Sequence, residues 1–121
     1  MRVIEINTDT RKFFKQYLTI IKPLLVPRIS NGELNVLAEL LYLNHKYRTV
    51  DVKVRGKLIF DYDNKIDIVN NLNTSLSTVN NAISSLRKSG YIIGYKIKDS
   101  LVIDIDDSFK IGFKFNIENE R

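Results

Sequence analysis

Among the side chains of this sequence that could do chemistry, the carboxylates Asp104, Asp106 and Asp107 stand closest together. Acids so spaced are candidate ligands for a hard cation or candidate general bases, because ionised carboxylates supply oxygen donors and accept protons. On a strand, Asp104 and Asp106 share one face while Asp107 sits near the end, and no His, Cys or glycine-rich phosphate loop converges on them. The single histidine, His45, has no second His and no Cys with which to share a metal, so a structural or surface role is expected for it. The absence of cysteine removes disulfides and thiolate metal sites, and no nucleophile is paired with a base. Neither an enzyme nor a metal- or cofactor-binding protein is expected.

Charge is the next resource. The formal net charge is +5, and its placement says more than its sum. Between Asp9 and Glu33 lie Arg11, Lys12, Lys15, Lys22 and Arg28 with no acid among them. Residues 64–90 set Lys65, Arg87 and Lys88 against Asp67 alone, whereas residues 91–121 are slightly acidic. A basic surface attracts phosphate and speeds encounter with it, and it also serves acidic protein partners. Both classes of partner stay open.

These groups must be positioned by regular elements. Leu76, Val79, Ala82, Ile83 and Leu86 recur at helical spacing and form one apolar stripe over 76–89. The opposite face holds Ser77, Asn81, Ser84, Ser85 and Lys88, with Thr78, Asn80 and Arg87 on the flanks. Gly90 stops the helix, since glycine takes a left-handed conformation without strain. A shorter helix over 64–72, capped by Asp61 or Asp63, buries Ile66, Val69 and Leu72, and about three residues separate the two, which requires a sharp turn. After Gly90 the period changes to two: residues 91–97 and 101–106 read as paired strands joined at Lys98-Asp99-Ser100, and Lys57-Leu58-Ile59-Phe60 reads as a third short strand.

Upstream, Ser30-Asn31-Gly32-Glu33 has the spacing of a capping box and opens a helix carrying Leu34, Leu37, Leu40, Leu41 and Leu43. Residues 2–8 alternate as a strand would, and Thr8 or Thr10 is the expected cap of a helix bearing Phe13, Phe14, Tyr17, Leu18 and Ile21. Pro23 and Pro27 interrupt the chain beyond that helix. Val50, Val52 and Val54 alternate with Asp51, Lys53 and Arg55, so residues 46–56 read as an extra strand, an extended arm or a solvated loop. The tail alternates too, with Phe109, Ile111, Phe113, Phe115 and Ile117 at period two. A strand there would pair within its own sheet or with a partner's edge.

One domain is the default for 121 residues, and 44% hydrophobic content suffices for one modest core. The expected organisation is an N-terminal strand and basic-helix extension (1–30), a central domain (31–107) and a strand-like tail (108–121). No apolar run reaches the roughly 18 residues of a membrane span and no signal peptide begins at Met1, so a cytoplasmic protein, in a host cell or a virion, is expected.

The order of strand, two helices around a tight turn, and hairpin, together with the run IDIVNNLNTSLSTVNNAISSLRKSGYI, resembles the winged helix-turn-helix superfamily. The likeness covers about residues 33–106, and its closing LRKSGYI looks like the end of a recognition helix in bacterial transcriptional regulators. A looser similarity links it to winged-helix replication initiators of low-GC plasmids and phages. Ile, Asn and Lys supply 40 of the 121 residues, which fits an AT-rich genome. The resemblance implies an α+β fold with a three-helix core and a β-hairpin wing. It implies double-stranded DNA as partner, with Ser77, Thr78, Asn81 and Ser84 approaching base edges. The amide of Asn81 is suited to a bidentate contact with adenine. Lys65, Arg87, Lys88, Lys96 and Lys98 would meet the backbone. Because the candidate recognition face is mostly Ser and Asn, and winged helices also serve as protein-binding modules, a structural role in a phage particle or replication complex is the alternative. Self-association through the Phe13/Phe14/Tyr17 helix and the tail would accompany either role.

Overall fold

A computed structural model describes residues 2–105 and 109–118. Five α-helices and one antiparallel hairpin occur among them, so the chain is α+β: α1 (Thr10–Ile21), α2 (Asn31–Lys46), α3 (Val52–Ile59), α4 (Tyr62–Leu72), α5 (Leu76–Lys88), β1 (Ile92–Ile93) and β2 (Lys96–Ile97). Single 3₁₀ turns follow α1 at Lys22–Leu24 and β2 at Asp99–Leu101.

Side-chain caps set the helix starts. The Ser30–Glu33 capping box is complete: the Glu33 N–H donates to Ser30 Oγ at 3.1 Å and the Ser30 N–H donates to Glu33 Oε1 at 3.0 Å. Asp61 caps α4, accepting from the Asn64 N–H at 2.8 Å, and Ser75 caps α5, accepting from the Thr78 N–H at 3.1 Å. The cap of α1 is neither Thr8 nor Thr10 but Asp9, whose carboxylate accepts from the Lys12 N–H at 2.8 Å. An ionised acceptor makes the stronger bond to an unpaired N–H and also opposes the positive end of the helix dipole.

The core is built around α2. Leu34, Leu37, Leu40 and Leu41 are buried, packing toward Phe14 and Leu18 of α1 on one side and Val79, Ile83 and Leu86 of α5 on the other. Each such side chain contributes about 1.5–3 kcal/mol by leaving water, so the N-terminal helix is part of the same core as the helices behind it. Two tyrosines pin distant segments: Tyr17 donates its hydroxyl to the Leu101 carbonyl at 3.4 Å, and Tyr91 donates to the Pro27 carbonyl. Burial raises the pKa of both phenols, so they stay protonated donors.

Several period-two expectations are overturned. Residues 46–56 form neither strand, arm nor simple loop, and Lys57–Phe60 is not a third strand, because both stretches run into α3. Asp51 caps that helix through the Lys53 N–H at 3.0 Å, and Gly56 and Ile59, three apart, turn inward together. Residues 2–8 are exposed and carry no strand, and neither does 109–118. Alternation makes a strand only when a neighbouring edge supplies hydrogen bonds. The hairpin is shorter than its apolar pattern: Ile92 pairs with Ile97 and Ile93 with Lys96. The reversal lies at Gly94-Tyr95, not at Lys98-Asp99-Ser100, since Gly94 adopts φ 62°, the positive value that the first central residue of a tight hairpin turn needs. Of residues 101–106, expected as the second strand, 101–105 instead leave the hairpin through the 3₁₀ turn, which buries Leu101, and Asp106 lies outside the described residues. In α4 the deeply buried residue is Ile68, with Ile66, Val69 and Leu72 only partly covered.

Candidate nucleic-acid interface

The pair α4–α5 turns at Asn73, whose φ of 51° lets the chain reverse within three residues. A short side chain that bonds locally tolerates that left-handed value better than most. The corner before α4 is fixed by Asn64, a buried amide that donates from Nδ2 to the Leu58 carbonyl at 2.7 Å and lies 3.5 Å from the Tyr47 hydroxyl. The orientation of α4 against the rest is fixed by Glu39, the charged residue in the apolar run of α2. Glu39 is buried and accepts from Arg11 of α1, Nε to Oε2 at 3.1 Å and Nη2 to Oε1 at 3.3 Å, and from Asn71 Nδ2 of α4. One carboxylate thus ties three helices. Its signal in the sequence is a lone acid among leucines.

The buried stripe of α5 leaves Ser77, Asn81 and Ser84 exposed on the far side, with no side-chain hydrogen bond among the described residues. Thr78 is exposed as well, but its hydroxyl lies 2.9 Å from Ser75 Oγ and belongs to the cap. Asn80, Ser85 and Lys88 extend the same polar surface.

The cations expected at the backbone fall into two groups. Lys65 and Lys88 make no ion pair with described residues. Arg87 is tethered: its Nε donates to the Gly94 carbonyl at 3.1 Å, and its guanidinium lies 5.3 Å from the Phe60 ring centroid and 6.0 Å from that of Tyr95. The bond joins the last turn of α5 to the hairpin. Lys96 pairs with Asp99 at 2.9 Å, both side chains well exposed, a contact of little strength in water. Lys98 sits 5.9 Å from the Tyr91 ring centroid.

Residues 10–32 do not form one free basic patch. Arg11 is held by Glu39 and lies 5.0 Å from the Tyr42 ring centroid. Lys12 sits 3.9 Å from Asp9, and Lys22 donates to Asn31 Oδ1. Lys15 is exposed without an ion pair among described residues, while Arg28 shares a shallow depression with Lys22.

Behind the hairpin, α3 closes in. A Cβ on Gly56 would lie 2.5 Å from the Tyr95 carbonyl oxygen, so only glycine permits this approach. Beside the contact is a cleft of about 220 Å³ lined by Asn44, Arg55, Tyr95 and Lys96 among others. Arg55 donates from Nη2 to the carbonyls of Arg48 and Val50 at 2.9 and 3.0 Å. No motif in the sequence points to Gly56 or Asn64 as residues that shape the site.

Of the remaining candidates, His45 packs against Phe14, ring centroids 5.9 Å apart. Burial, aided by Arg48 and opposed by Asp104, holds its pKa below the usual imidazole value. No group of three or more metal-ligating side chains gathers among the described residues, and Asp106 and Asp107 lie outside them. No described helix is long and apolar enough to cross a membrane. Comparison with protein-family models, with curated proteins and with solved structures gives no match for this chain.

Proposed function

We propose that this chain binds double-stranded DNA in the manner of a winged helix-turn-helix protein, with α5 in the major groove and the hairpin as the wing. One observation carries the reading. The outward face of α5 is a continuous exposed row of Ser77, Asn81 and Ser84, whose side chains make no hydrogen bond among the described residues, on a helix fixed by a buried stripe and joined to the hairpin through Arg87. Ser and Asn side chains can both donate to and accept from base edges, while Lys65, Lys88 and the free end of Arg87 supply charge for phosphates. Transcription regulation or replication initiation in a phage or low-GC bacterium is the cellular role that accords with it.

The test is binding of two variants to a random duplex library and to its enriched site. Asn81→Ala should change sequence preference, at about 1–3 kcal/mol for a lost bidentate contact. Lys88→Ala should weaken binding to all duplexes and lower the salt slope by about one unit. Unchanged binding by both variants would remove α5 as the reader.

A second reading, a protein-assembly module, is favoured by the tail. Phe109 rests edge-on against Phe13 at 5.3 Å between centroids, while Phe113, Phe115 and Ile117 project into solvent. An exposed stretch this apolar fits a partner's surface or a second copy of the chain.

A further inference from the structure

The hairpin carries a feature that duplex binding alone does not use. Its inward pair, Ile92 and Ile97, is almost fully buried, yet its outward tip bears Ile93 and Tyr95, exposed to 65% and 62%. A two-residue reversal facing only water is ordinarily polar. Here an aromatic ring stands at the tip, and the structure fixes it from one side. The Tyr95 backbone seats against Gly56 of α3, the neighbouring Gly94 carbonyl is bonded to Arg87 Nε at 3.1 Å, and the ring lies 6.2 Å from Phe60 with Arg87 alongside. Cations follow close in sequence at Lys96 and Lys98, and Arg87 and Lys88 end the adjoining helix.

We infer that Tyr95 is a stacking platform for an unpaired nucleobase, so that the protein prefers duplex bordered by single-stranded nucleotides to continuous duplex. The inference rests on the DNA-binding reading and adds a substrate class to it. An aromatic face accepts any unstacked base, and a ring already held in place loses little freedom when it does so. Entry of the same ring into an intact duplex would first require unstacking a base step, whereas a base beside a duplex end presents its face without that cost. The surrounding cations would hold the phosphates on either side of the stacked base.

The experiment is fluorescence anisotropy of the full chain, at physiological ionic strength, with a blunt duplex and with the same duplex carrying a short single-stranded overhang of either polarity. A 2-aminopurine at the first unpaired position reports stacking directly. One stacked base should tighten binding by about 10-fold for one overhang polarity and quench the 2-aminopurine. Tyr95→Phe should keep both effects, and Tyr95→Leu should bind blunt and overhung duplexes with equal affinity and leave the 2-aminopurine unquenched. Equal affinity of the wild-type chain for blunt and overhung duplexes, or an overhang preference that survives Tyr95→Leu, would overturn the inference and leave duplex binding standing. Overhang binding without blunt-duplex binding would support the platform and remove the major-groove reading, and no binding to either would overturn both.

Discussion

Gly56→Ala isolates the contact between α3 and the hairpin. Within a helix, alanine is favoured over glycine by about 1 kcal/mol, so without tertiary contact the substitution would stabilise. The new methyl group would instead stand 2.5 Å from the Tyr95 carbonyl oxygen and 3.3 Å from its Cβ. The nearest atom is backbone, so no side-chain rotation relieves the overlap, and either α3 or the hairpin tip must move. Overpacking of this kind costs about 1–3 kcal/mol. Taking the upper half of that range and subtracting the propensity gain leaves a net loss of about 1–2 kcal/mol. Urea unfolding followed by circular dichroism should show the midpoint falling by about 1 M with an unchanged slope. Gly32→Ala is the internal control. Its added Cβ would meet only Ser30 Oγ at 3.9 Å, so the midpoint should stay level or rise. A Gly56→Ala protein as stable as the control would refute the close approach of α3 to the hairpin and, with it, the argument that Tyr95 is held from behind.

Contacts elsewhere in the fold support three more tests. Glu39→Ala should destabilise by about 2 kcal/mol, the loss of charge-assisted bonds to Arg11 and Asn71 moderated because Arg11 is 41% exposed and can rehydrate; a urea midpoint equal to wild type would deny Glu39 its place between the helices. His45 has its pKa lowered in the folded state, so the unfolded chain takes the proton more readily. The stability this contributes is complete above the unfolded value near 6.5 and declines as pH falls toward and through the folded one; urea midpoints at pH 7.5 and 5 should therefore separate less in His45→Gln than in wild type, and equal separations would contradict it. Under the assembly reading, truncation after Asp107 should convert a self-associating chain into a monomer by sedimentation velocity, and a truncated chain that associates normally would clear the tail of that role.

The helical elements are the legible part of the sequence because they announce themselves through several signals at once. In α5 the stripe of Val79, Ala82, Ile83 and Leu86, the hydroxyl at Ser75 and Gly90 at φ 83° all point the same way, and α2 adds its capping box. Segment 46–60 misleads because Val50, Val52 and Val54 alternate over too short a stretch to outweigh tertiary packing. The decisive cue is Asp51, a helix cap, followed by Gly56 and Ile59 on one face. In the hairpin, the apolar residues of 91–97 hide the one that can reverse the chain, Gly94. The polar face of α5 is readable as a face, but the engagement of its members is not. That Thr78 is spent on the cap and Arg87 on Gly94 depends on neighbours whose approach no periodicity encodes.

Arg87 and Lys88 are adjacent cations on one helix end, yet their freedom to vary differs. Replacing Arg87 by lysine would keep the charge and lose the planar fork that reaches the Gly94 carbonyl while lying beside Phe60 and Tyr95. Charge and architecture are inseparable at that position. Lys88 has no such duty among the described residues, so descendants of this chain that drift in affinity for a polyanion should drift through Lys88 and Lys65. Arg87 should hold still for as long as helix and hairpin remain one body.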